Sequence, residues 1–318
     1  MRIAVVCGLL ASLLLATVLC PTCSFAAEKQ VAVIWEGKSG MTKRVHMGFL
    51  HRMRAIGSEV KIINRMELPS IQDAERTFRE LEATVDGIVF LRSSGAAFLG
   101  KANPKVPSFV GGCNNPVDLG ALKQLDAPEG NVTGVTYFIP YEKRFEVLRK
   151  MFPNVKAVGI VLQKGHPATP IDQKGTKEQC DRLGLAYHEV VAENAAQLLQ
   201  GAEALADKAQ VIIISSTGLV MDNTVNLVGI QNRKRVPLFS YAEGRAKLGA
   251  LSELAARDEE LGSMLADSVV DVVVKGKPVA QVPVKIDPKP SLVINDGIAK
   301  MLNVSVPAEL QGQVQLVQ

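Results

Sequence analysis

Gly37-Lys38-Ser39 is the kind of tripeptide that ends a phosphate-binding loop, where a lysine and a hydroxyl meet a nucleotide's phosphates. The full motif also needs a glycine at position 32, and the chain has Ala32 there. His46 and His51 are spaced one residue too widely for the paired histidines of a zinc helix and lack its glutamate. His166 and His188 have no clustered Cys or His partner, so all four histidines read as surface or core polar residues. There is no G-x-S-x-G elbow, no histidine beside Cys113 and no G-x-G-x-x-G opening. No catalytic residue, metal ligand or cofactor is therefore expected. What remains are groups that bind without reacting. Arg92 can clamp a carboxylate through two parallel N–H bonds, and Ser93 and Ser94 follow it directly. Trp35 and Tyr137 offer flat apolar faces.

Such groups matter only if the fold brings them to one place. Val31–Trp35 is a short apolar run of strand type, and Val45, Phe49, Met53 and Ile56 then recur at helical spacing up to Gly57. Further strands are expected at Val60–Ile63, Gly87–Leu91 and Ser108–Val110, with a helix capped by Asp73 between the first two. After Tyr137 the alternation restarts. Helices are expected at 141–151, 174–183, 195–206 (capped by Asn194) and 222–233. Strands are expected at 157–162, 187–191, 211–214 and 237–240. Ala250–Leu254, a helix over 259–274, Val282–Ile286, Leu292–Asn295 and a short helix at 298–302 close the chain. Continuous β-branched strands between helices mean parallel sheets covered on both faces, and two such sets mean two doubly wound lobes.

In open α/β sheets ligands sit outside the carboxyl ends of the strands. That rule selects Trp35 and Ser39 after the first strand, Arg92, Ser93 and Ser94 after the third, and Asn114 and Asn115 after the fourth. Tyr137 stands at the crossing between lobes. In the second lobe the loops bring Gln163, Thr217, Tyr241 and Glu243. Each also has a plain structural role open to it: Trp35 packing on a helix, Ser93-Ser94 capping one, the asparagines shaping the turn before Pro116, and Arg92 in a structural salt bridge.

Arg2, the apolar run over 3–19 and Ser24-Phe25-Ala26 read as a secretion signal cleaved before Ala27. The run is short for a membrane anchor. Leu19 before Cys20 argues against lipidation, because that signal prefers a small residue there. The net charge of +4 is spread along the chain and indicates no nucleic-acid or membrane partner. Of the cysteines beyond the signal, Cys113 and Cys180 fall in different expected lobes, so two separate buried thiols are expected.

Asn131-Val132-Thr133-Gly134-Val135-Thr136 has the look of a lobe-crossing strand. Asp258-Glu259-Glu260-Leu261-Gly262, Val273-Val274-Lys275-Gly276-Lys277-Pro278, Val282-Pro283-Val284, Leu292-Val293-Ile294-Asn295, Ala299 and Val306-Pro307 then follow in order. Together they resemble the ABC-transporter substrate-binding family whose best-known members bind aromatic amino acids. The resemblance implies a type I periplasmic-binding fold, two Rossmann-like lobes joined by three crossovers. Residues 27–138 and 247–275 would form lobe one, and 139–246 and 276–318 lobe two. The ligand does not carry over. Members that take amino acids commonly have an Asp-Asn pair after the strand at Val211–Ile214, and here stands Ser215-Ser216-Thr217-Gly218. The tyrosine usual near the last crossover is replaced by Ala255-Ala256-Arg257-Asp258, and the Asn-Pro-Gly after Leu162 by Gln163-Lys164-Gly165-His166-Pro167.

The expected function is a periplasmic solute-binding protein that captures a small organic ligand for an ABC permease in the inner membrane. A sensor presenting its closed form to a membrane receptor is the alternative, and an enzyme on the same scaffold a third reading. The ligand expected has an aromatic or other apolar body with a polar or anionic end, and is not a standard amino acid.

Overall fold

The computed structural model describes residues 28–318, so the expected signal, its cleavage site and Cys20 lie outside the described residues. The chain runs β1 (Lys29–Glu36), α1 (Gly40–Ile56), β2 (Val60–Leu68), α2 (Ile71–Leu81), β3 (Gly87–Leu91), α3 (Arg92–Ala102), β4 (Ser108–Gly111) and β5 (Val132–Thr136). It continues through α4 (Tyr141–Met151), β6 (Ala157–Gln163), α5 (Thr169–Leu183), β7 (Ala186–Ala192), α6 (Ala195–Leu205), β8 (Val211–Ile214), α7 (Gly218–Asp222), α8 (Thr224–Lys234) and β9 (Leu238–Ser240). The last elements are β10 (Ser252–Ala255), α9 (Asp258–Val269), β11 (Lys285–Ile286), β12 (Ser291–Asn295), α10 (Asp296–Leu302) and β13 (Val314–Val317).

Two sheets result, in the orders β11-β5-β4-β3-β1-β2 and β13-β12-β10-β9-β8-β6-β7. All pairings are parallel except β10 with β12. Every residue of β3, β4, β5, β8, β9 and β10 is buried, because helices cover both faces of each sheet. Each lobe accordingly has two apolar cores. In lobe one, Trp35, Phe49, Leu261 and Val269 pack on one face of the sheet, and Phe78, Phe90 and Leu99 on the other. This is the type I periplasmic-binding architecture.

The chain crosses between the sheets after β5, after β10 and after β11. β10 belongs to the second sheet and β11 to the first, so the boundaries expected at 246/247 and 275/276 both fall about ten residues too early. The C-terminal contribution to lobe one is α9 to β11. Arg257 ties two of the crossings together: its backbone N–H and Nε donate to Asp287 Oδ2 and its Nη2 to Oδ1, at 2.8–3.0 Å. Gly134 explains the crossing-strand motif. Its φ is +136°, and an added Cβ would collide with the Val110 carbonyl, so there is no room for a side chain beside β4.

Local expectations differ at the helix ends. Ser70, not Asp73, caps α2: its hydroxyl accepts the Asp73 N–H at 3.1 Å and donates to the Asp73 carboxylate at 2.6 Å. α5 starts at Thr169 because Pro170 fits a first helical turn, where its missing N–H is no loss. The helix expected over 222–233 is two, broken at Asn223, and the one over 259–274 ends in a π turn at Val270–Val274. Cys113 and Cys180 are buried and unbridged, with burial raising both thiols to about 12.

Candidate functional site

The carboxyl ends of both sheets face one another across a cleft, and the lobes touch there. A cavity of about 210 Å³ remains between them. Lobe one lines it with Lys38, Ser39, Gly40, Met41, Thr42 and Arg44, then Arg92, Ser93, Gly112 and Tyr137. Lobe two lines it with His166, Ser216, Gly218, Met221, Asp222, Ala242, Glu243 and Arg245.

Ser39 caps α1, its hydroxyl accepting the Thr42 N–H at 3.2 Å. The first turn of this helix therefore faces the cavity with its positive end, which favours an anion. Arg92 is half-buried and takes φ +75°, a left-handed conformation rare outside glycine and often found at functional sites. Its Nη1 donates to the Glu36 carbonyl and lies 3.5 Å from the Glu36 carboxylate, to which Ser94 also donates. Arg92 also helps push His166 down to about 4, after the larger effect of burial. His166 is thus neutral at physiological pH. Its Nδ1 accepts the Ala168 N–H at 3.1 Å, which leaves the proton on Nε2 as a donor.

Among the described residues, polar contacts bridge the lobes on two sides of the cavity. At one side Arg44 donates from Nε and Nη2 to Asp258 Oδ2 at 3.0 and 2.7 Å, and from Nη2 to the Glu243 carbonyl at 3.4 Å. The Glu243 carboxylate, from lobe two, accepts the Asp258 N–H at 2.8 Å. Burial raises Asp258 to about 7; Arg44 pulls it down and Glu243 pushes it up. At the hinge side Asn114 Nδ2 donates across the interface to Asp172 Oδ1 at 3.2 Å. Asp172 also accepts the Tyr141 hydroxyl at 2.8 Å and lies 3.8 Å from Arg144 Nη1. Burial raises the Asp172 carboxyl while Arg144 and the two donors lower it. Arg144 is itself buried, its guanidinium 4.2 Å from the ring centre of Tyr241 and 4.6 Å from that of Tyr141.

A family profile described as ABC transporter substrate binding protein matches residues 30–316. The chain belongs to that family. It is 21% identical over 238 residues to a tyrosine-binding protein of Clostridioides difficile (strain R20291), covering 75% of this chain and 68% of the relative. A conserved domain protein from Vibrio cholerae superposes with a TM-score of 0.82 at 23% identity, over 92% of this chain and 100% of the other. A domain from Streptococcus pneumonia in complex with L-Trp gives 0.81 at 20% identity, over 92% and 100%. The family is one of substrate-binding proteins, not of enzymes.

Of the expected site residues, Ser39, Arg92, Ser93, Tyr137 and Glu243 line the cavity. The other expected residues stand behind or beside it. Trp35 is 1% exposed and packs against α1, its ring centre 5.1 Å from that of His46. Ser94 is tied to Glu36. Asn114 bridges the lobes, and Asn115 shapes the turn by bonding Asp118 and the Val117 N–H. Gln163 Oε1 accepts the Leu219 N–H at 2.9 Å and so anchors α7. Thr217 is buried against Ser215, and Tyr241 lies beneath Arg144. Arg44, Arg245 and His166 line the cavity without having been singled out. His166 and Arg245 stand in the loops directly after β6 and β9, which the strand-end rule selects, whereas Arg44 lies inside α1, beyond the loop after β1.

Proposed function

We propose that the chain is an extracytoplasmic solute-binding protein that closes on a small organic ligand with an anionic end and delivers it to an ABC importer. The observation that carries this reading is a cavity walled by both lobes, with guanidinium groups on its surface and hydrogen bonds joining the lobes around it. A ligand touching both walls stabilises the closed arrangement over the open one, and a permease can read that difference. Family membership supports the importer as partner and a location outside the cytoplasm. The relatives named for tyrosine and L-Trp make aromatic amino acids the first comparison. Tyr137, Met41 and Met221 could take an apolar body, whereas Trp35, the expected aromatic platform, is spent on the core.

Native mass spectrometry of freshly purified protein tests this. A retained small molecule, and a smaller radius of gyration in solution scattering when it is bound, are expected. Identical scattering with and without saturating ligand would refute closure as the transport signal.

A further inference from the structure

Three guanidinium groups line the cavity, and they are not equivalent. Arg44 is held by Asp258, and Arg92 lies against Glu36. Arg245 has no such partner among the described residues. Its Nε is buried and unbonded, and its Nη1 makes only two long bonds, to the Met221 carbonyl at 3.3 Å and Thr224 Oγ1 at 3.4 Å. Buried donors are nearly always satisfied, and a charged one left bare is especially unfavourable.

The neighbouring carboxylate explains why. Glu253 is 2% exposed, and its oxygens accept the Gly244 and Ala246 N–H groups at 2.9 and 2.7 Å. It fixes the backbone on both sides of Arg245 and is committed there. The turn is therefore rigid while the guanidinium it carries stays unpaired. Burial and then Arg44, from the opposite lobe, destabilise the cationic form of Arg245, and Glu253, Asp258 and Asp222 offset this only in part. An anion seated between the two would relieve both effects.

A ligand ammonium finds no comparable place. Glu243 already accepts the Asp258 N–H and faces Arg44 Nε at 4.0 Å. The other wall carboxylate, Asp222, is exposed at the rim. Resting on the binding-protein reading above, we propose that Arg245 receives the ligand's anionic group from lobe two, and that the ligand is an organic acid without an α-ammonium group. The first turn of α1 faces the same anion from lobe one.

Matched probes test this: 3-phenylpropionate against L-phenylalanine and 3-indolepropionate against L-tryptophan, by titration calorimetry on the full mature chain. The wild type is expected to bind each acid at least tenfold more tightly than its amino acid. Arg245→Gln is expected to weaken the acids about thirtyfold or more, and Arg245→Lys to recover part of that loss through its point charge. Unchanged melting temperatures establish that the variants fold; should Arg245→Gln fail to fold, the graded loss in Arg245→Lys serves instead. Tighter binding of the amino acids, equal binding of the acids by wild type and variants, or no saturable binding of either acid by the wild type overturns the assignment. Native mass spectrometry of the same preparation keeps the two ideas apart: a retained solute sustains the binding-protein reading even where Arg245 proves irrelevant.

Discussion

Replacing Asn114 by Ala should open the molecule without touching the cavity wall. Its amide donates across the interface to the buried Asp172 carboxylate, at 3.2 Å. A hydrogen bond to a charged group contributes ~1.5–3 kcal/mol. This one is longer than the ~2.7–2.9 Å of a strong charge-assisted bond, so the lower figure applies. A loss of ~1.5 kcal/mol changes the closed-to-open ratio about tenfold. Asp172 keeps the Tyr141 hydroxyl and Arg144, so lobe two should remain folded. Two observables respond in complementary regimes. Where the ligand-free protein is mostly closed, its radius of gyration in solution scattering increases. Where it is mostly open, the dissociation constant for any bound solute rises about tenfold. Asn115→Ala is the control, since its bonds to Asp118 and Val117 stay within lobe one. An Asn114→Ala protein with wild-type scattering and wild-type affinity would refute the claim that this contact holds the lobes together.

Closure should also depend on pH through Asp258. Its carboxyl is at about 7 in the closed arrangement, raised first by burial and further by the Glu243 charge of lobe two against the pull of Arg44, and opening removes that lobe-two charge and admits water. The closed state thus binds a proton more readily, so it gains stability as pH falls through 7 and loses it as pH rises; from pH 8 to 6 the closed-to-open ratio should increase about tenfold by scattering, and Asp258→Asn should flatten the profile. Arg144→Met should destabilise the protein by ~3–5 kcal/mol in denaturant unfolding, because it strips the buried Asp172 carboxyl of its counter-charge. Adding Asp172→Asn should recover a substantial part of that loss, and a double variant no more stable than Arg144→Met would show that the pair is not coupled.

The architecture was legible because it rests on local periodicities. Val31–Trp35, Gly87–Leu91 and Val211–Ile214 are apolar on both faces, and that pattern arises only when helices cover both sides of a parallel sheet. The lobe boundaries were less legible. Whether β10 joins the first or second sheet depends on its pairing with β9 and β12, and pairing over long sequence separation leaves no periodic trace. Gly262 shows the same limit. It reads as one glycine inside a helix, which propensity disfavours. Its reason is the close passage of α9 over α1, where an added Cβ would lie 2.0 Å from the Val45 carbonyl.

The candidate site divides along a similar line. The strand-end rule selects loops that border the cavity but cannot choose among their side chains, because a side chain at a strand end has two competing uses. Trp35 is large and apolar, and the alternation of β1 turns it towards α1, where burial of an indole outweighs exposure to a polar cleft. Asn114 and Gln163 carry amides that satisfy other groups, one across the interface and one at the start of α7. Arg245 leaves no mark in the sequence, because its significance is a missing partner. In the sequence Glu253 stands as a plausible counter-ion close by, but in the fold its oxygens are committed to backbone amides. The cavity's chemistry follows from which charges the fold has already matched, and among the described residues Arg245 is the cavity guanidinium without a carboxylate in contact.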